Sequence, residues 1–199
     1  MPTGFAMRDP RTQLFDAAER ILQRDGPGGL TSRAVTTEAT CAKGVLHRHF
    51  ADFDAFLAEF VLDRAARVES QATILCGSAG TGTVAGNLTG ALVVLFGPVA
   101  VTVVSLVISR DGLRARLRQA GVAGVPILTE AVAMLGSYLT LERDMGRIAA
   151  DADIGTLAPT LVGAVHILFT DREGPPVRES AVHRVVTTVI ASALRDAER

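Results

Sequence analysis

Tryptophan is absent from this 199-residue chain. Tyrosine occurs once, at Tyr138, and lysine once, at Lys43, among twenty Lys and Arg residues. Two cysteines, Cys41 and Cys76, have neither metal-ligand spacing nor the even-numbered framework of a disulfide scaffold. Cys41 therefore reads as a small packing residue. The chain start has no long apolar core and no small-residue cleavage pattern, which argues against export and for a cytoplasmic protein. Catalytic machinery is also missing. The glycines between Gly77 and Gly90 match no phosphate-binding pattern. His166 and His183 have no Cys, Asp or Glu at ligand spacing, so they read as structural. No enzyme activity, cofactor or metal is expected. A net charge of −1 excludes binding of polyanions by the surface as a whole.

Charge is missing altogether from Ser70 to Ser109. Within that stretch the run from Ala91 to Ile108 approaches the roughly 20 residues that cross a bilayer. Gly97-Pro98 interrupts it, Gly86, Asn87, Thr89 and Gly90 weaken its start, and Arg110, Arg114, Arg116 and Arg118 follow at once. A span would place that arginine cluster outside if the chain start stays inside, against the positive-inside tendency. Two buried helices split at Gly97-Pro98 are expected instead, with no membrane partner.

What is present is helical periodicity. Apolar residues make up 48% of the chain, helix formers dominate and strand-like alternation is scarce, so an all-α protein is expected. Leu14, Ala17, Ala18, Ile21 and Leu22 form a stripe that ends at Gly26-Pro27-Gly28-Gly29. Thr31 can cap a second short helix, Ser32 to Glu38, with Arg33 outward. A tight turn then feeds a helix of one to two turns in which Leu46 and Phe50 share an apolar face, while Lys43, His47, Arg48 and His49 project elsewhere. Three short helices with a cationic third form a helix-turn-helix domain, a geometry suited to a DNA major groove. Residues 1–50 hold seven basic and five acidic side chains plus His47 and His49, so the positive charge is local.

From Arg11 to Leu57 the sequence resembles the tetracycline-repressor (TetR) family of bacterial transcription regulators. The resemblance rests on Phe15-Asp16-Ala17-Ala18, Gly26, Leu30-Thr31-Ser32-Arg33, Lys43-Gly44, Leu46 and His49-Phe50, with Asp52 opening a long helix. It implies a helix-turn-helix DNA-binding domain over 1–50 and a helical effector-binding and dimerisation domain over 51–199. It also implies a pseudo-palindromic double-stranded operator, contacted by Thr31, Arg33, Lys43, Gly44, Val45, His47, Arg48 and His49. Where the family has glycine, serine, threonine, tyrosine and lysine, this chain has Thr40, Ala42, Val45, His47 and Phe53. Those departures remove hydrogen-bonding groups and a phosphate contact. The resemblance therefore implies a repressor, with a ligand or partner sensor of weak specific DNA binding as the alternative.

The remaining helices are expected at 52–76, 83–96, 98–109, 111–119, 126–144, 154–170 and 176–197, with Asp151 and Asp153 as a solvated cap before the 154–170 helix. Stripes through Leu157, Leu161, Ala164, Val165 and Leu168, and through Val182, Val185, Val186, Val189, Ile190 and Ala193, mark the last two helices as a homodimer face. The resemblance places a ligand cavity among the middle helices. Phe60, Phe96, Met134 and Tyr138 are its expected liners, with Tyr138 as the polar anchor for a small lipophilic effector.

Overall fold

A computed structural model describes residues 9–171 and 174–194, and of Pro98 the backbone alone. Among the described residues there are ten α-helices, one short 3-10 turn at Pro27–Gly29, and no strand. The helices are α1 (Pro10–Asp25), α2 (Ser32–Glu38), α3 (Gly44–His49), α4 (Phe53–Gly77), α5 (Val84–Leu95), α6 (Pro98–Ser109), α7 (Asp111–Gln119), α8 (Pro126–Asp144), α9 (Ile154–Leu168) and α10 (Glu179–Ile190).

Local chemistry sets most of the boundaries. The side chains of Asp9, Thr31, Asp52, Thr83 and Asp153 accept hydrogen bonds from the backbone N–H groups of Arg11, Ala34, Ala55, Gly86 and Thr156, satisfying donors that helix starts leave open. Pro10, Pro98 and Pro126 occupy first helical positions, where a missing N–H costs nothing. The last helix departs from expectation. It starts at Glu179 and stops at Ile190, followed by a turn, rather than running 176–197. Its expected end from 195 onward lies outside the described residues.

The chain forms two compact units. One holds the described residues up to Asp63 together with Thr102–Ala123, and the other Arg64–Val101 with Gly124 onward. The expected division at residue 50 thus falls inside the first unit, between α3 and α4.

In the first unit, Leu14, Ala17, Ala18, Ile21 and Leu22 of α1 are fully buried with Val35 of α2 and Leu46 of α3. Phe15 lies 6.0 Å from Phe50, 5.7 Å from Phe56 and 5.9 Å from Phe60, ring centre to ring centre. This cluster fastens α1 and the end of α3 to the start of α4. Each such ring, taken wholly out of water, contributes about 1.5–3 kcal/mol.

In the second unit α5 packs on α10, α10 on α9, α9 on α8, and α8 back on α5. The apolar stripes read from the sequence supply this core: Leu88 and Leu92, Leu135 and Leu139, Leu161 and Val165, Val182, Val186 and Ile190 are all essentially inaccessible. Of the α10 stripe, Val182, Val186 and Ile190 pack within their own unit, while Val185 and Val189 stay partly exposed. Among the described residues no single helix is long and apolar enough to cross a membrane.

Candidate DNA-binding surface and effector site

The α2–turn–α3 segment is held by charge as well as by its core. Glu38 at the end of α2 accepts from Arg20 at 2.8 Å and from Arg24 at 3.1 Å, both on α1. These two guanidinium hydrogen bonds, Arg20 first, hold the Glu38 carboxyl below the usual carboxylate range. The turn itself contains Thr40 at φ 52°, where the family pattern has glycine. A β-branched residue is strained in this left-handed region. Its neighbours fix it there: the N–H of Thr40 bonds to Thr37 O, and that of Cys41 to Thr36 O, both at 3.0 Å.

This framework presents Thr31, Arg33, Lys43, Gly44, His47, Arg48 and His49 on the surface, with Val45 half-buried between α3 and the core. All eight residues expected to meet DNA therefore lie in the first unit, on α2, α3 and the positions just before them. The Thr31 hydroxyl oxygen is already used as the cap of α2.

Several other cations of this unit are neutralised. Arg11 pairs with Glu59, Arg110 with Asp54 at 2.5 Å, Arg114 with Asp111 and Arg116 with Asp52. Arg33, Lys43 and Arg48 enter no ion pair among the described residues, and neither does Arg118 on α7. Phe53, at the position where the family has lysine, is half-buried, stacked on Phe56 at 5.6 Å with the Arg110 guanidinium 5.3 Å above it. Its side chain offers no cation to a phosphate.

The four expected ligand liners are all buried. Phe60 belongs to the aromatic cluster of the first unit, 6.4 Å from Phe56. Phe96 lies against His166 at 5.5 Å and Phe169 at 6.0 Å in the second unit, and Met134 is 2% exposed there. The Tyr138 hydroxyl is taken. It accepts from Asn87 at 3.0 Å and meets the carboxylate of Glu142. Burial, then that carboxylate, push the phenol well above its ordinary pKa.

Glu142 is fully buried; it receives the N–H of Gly80 at 3.4 Å and pairs with Arg147 at 3.5 Å. Arg147 donates onward to Gly82 O at 2.7 Å, and Asn87 to Thr81 O at 2.9 Å. The network staples the 78–83 loop to α5 and α8. Tyr138 and Glu142 are four apart on α8 and so share a face, but Asn87 and Gly80 come to them from 51 and 62 residues away, beyond any local pattern.

A groove of about 340 Å³ runs between the end of α4 and α5, bordered by Gln71, Ile74, Asn87, Gly90, Ala91 and Val94. None of the four expected liners reaches it. His183, on α10, bonds through Nδ1 to the Thr89 hydroxyl at 3.1 Å. That hydroxyl donates to Ala85 O at 2.7 Å, so the ring nitrogen is the donor and His183 is the structural histidine expected.

Over nearly its whole length the chain superposes on solved TetR-type regulators. The fatty acid degradation regulator FadR from Bacillus halodurans matches at TM-score 0.72 and 14% identity, covering 94% of this chain and 97% of that one. The chain has the TetR-family fold. A TetR transcriptional regulator from Agrobacterium tumefaciens matches at TM-score 0.59 and 18% identity, covering 95% and 97% of the two chains. The multidrug binding protein EbrR complexed with imidazole matches at TM-score 0.60 and 21% identity, covering 92% and 96%. No family model and no curated protein matches the sequence. Within the TetR-type fold the α2–turn–α3 unit is the helix-turn-helix by position.

Proposed function

We propose that the chain is a ligand-responsive, DNA-binding transcriptional regulator: a homodimeric repressor that a small lipophilic molecule releases from its operator. One observation carries the reading. Arg33, Lys43 and Arg48 stand free on the exposed side of the helix-turn-helix, while Arg11, Arg20, Arg24, Arg110, Arg114 and Arg116 of the same unit are paired with carboxylates. Unpaired cations on a short exposed helix supply phosphate and base-edge contacts; paired ones do not. Similarity to a fatty acid degradation regulator and to a multidrug binding protein supports an apolar effector.

Dimerisation joins two half-sites spaced about 34 Å, or a multiple of it, on a pseudo-palindrome. The surface for it is the outward side of α9, where Gly155, Pro159, Gly163 and Ile167 recur four apart and are all exposed, Ile167 by 69%. Small residues at that spacing let a partner helix approach closely.

A gel shift with the region upstream of the protein's own gene tests the reading. Lys43→Ala with Arg48→Ala should weaken binding about 100-fold, at two contacts of roughly 1–3 kcal/mol each, with an unchanged melting temperature. Undiminished binding in the double variant overturns it. Phe53, stacked on Phe56 where the family has a lysine, favours a second reading, a TetR-type sensor with weak or no specific DNA binding. That reading holds if the native chain shifts no DNA yet binds a lipophilic compound.

A further inference from the structure

The groove between α4 and α5 lies wholly in the second unit and has four features of a built binding site. Its volume of about 340 Å³ falls in the range of small-molecule pockets. No charged side chain lines it. Its rims are Ile74 and Val94, 75% and 63% exposed, two large apolar side chains facing water where a ligand would cover them. A Cβ at Gly90 would meet nothing within 4 Å, so α5 leaves its floor open.

The fifth observation concerns chemistry. Gln71 Oε1 is buried and accepts no hydrogen bond. A buried acceptor without a partner is costly, and a donor brought in by a ligand relieves it. The other amide in the groove, Asn87, already donates to Tyr138 and Thr81. An anion would find no cation here and a cation no carboxylate, and either would be stripped of water without compensation.

We propose that the α4–α5 groove binds a neutral, largely apolar small molecule that donates one N–H or O–H to Gln71 Oε1. The site is lateral and distinct from the interior positions Phe96, Met134 and Tyr138. Binding stands on its own; only its regulatory use rests on the regulator reading above.

Carbazole and fluorene test it, because they share a tricyclic shape and only carbazole carries an N–H. Titrated into the full chain by calorimetry, carbazole should bind about tenfold tighter than fluorene. Gln71→Leu should abolish that preference. Gly90→Leu should remove binding of both compounds without lowering the melting temperature, since leucine is the better helix former and points into open space. Ile74→Glu and Val94→Glu, at exposed positions that do not threaten the fold, should each weaken both compounds at least fivefold.

Equal affinities in the native chain, or a preference that survives Gln71→Leu, overturn the proposal. So does sedimentation in which Val94→Glu turns a dimer into a monomer, because a second copy then covers the groove. A gel shift alongside separates the two ideas. Carbazole bound with the DNA complex intact supports the groove and removes its regulatory use. No binding with an intact gel shift removes the groove and leaves the regulator.

Discussion

The two units of this protein use charge in opposite ways. In the first, carboxylates sit at the surface and clamp arginines across short helices, as Glu38 does Arg20 and Arg24, leaving a few cations unpaired on one side. In the second, helices nearly empty of charge surround one fully buried carboxylate, Glu142, tied to Tyr138 and Arg147. The lesson is one of magnitude. Exposed pairs contribute roughly 0–1 kcal/mol each and can be rearranged without unfolding, which suits a surface that meets a polyanion. A buried carboxylate must keep all its partners, so it fixes a loop in one place.

The sharpest way to break this contrast is Glu142→Ala. It removes the acceptor shared by Arg147, the Tyr138 hydroxyl and the Gly80 N–H, and should cost about 3–5 kcal/mol in chemical denaturation. A loss below about 1 kcal/mol would mean that the second unit handles charge no differently from the first. Tyr138→Phe removes one member only, and should cost about 1–3 kcal/mol while leaving the affinity of an apolar ligand unchanged. A drop in ligand affinity with unchanged stability would return Tyr138 to the role of polar anchor.

Thr40→Gly should have the reverse sign. Relief of the left-handed strain at φ 52° should stabilise the first unit by about 1 kcal/mol, offset in part by the greater freedom of glycine in the unfolded chain. A thermal melt of the variant measures it, and a lowered melting temperature would show that the Thr40 side chain contributes more than its backbone strain costs.

The smallest effect is on pH. Glu38 is held below its ordinary 4.5 by Arg20 and Arg24, and Asp52 below 3.8, first by the backbone N–H of Ala55 and then by Arg116. Because both values are lowered on folding, their contribution is complete above the ordinary carboxylate range and fades as pH falls through the lowered values. Unfolding followed from pH 6 to 3 should therefore show stability flat at first and then declining below about 4.5, and the acid decline should shrink in Glu38→Gln. An identical acid limb in the variant would remove Glu38 from the account.

Legibility in the sequence followed the range of the forces involved. Thr31, Asp52, Thr83 and Asp153 announced helix starts because a cap bonds to an N–H only two or three residues on. The cationic side of α3 was legible for the same reason: Leu46 and Phe50 go to the core, so Lys43, His47 and Arg48 cannot. The stripe on α10 was visible, but its destination was not. An apolar stripe reads identically whether it packs on its own neighbours or on a second copy, and Val186 is fully buried on a helix that packs against α5 and α9.

The sequence by itself therefore determined the helices, their caps, the helix-turn-helix and its outward cations, each set by neighbours a few residues apart. Only the tertiary structure decided that the Tyr138 hydroxyl joins a polar network, since Asn87 reaches it from α5, 51 residues away in sequence. The open groove beside Gly90 and Gln71 was likewise invisible beforehand. Empty space is a property of how helices pack, and no residue type encodes it.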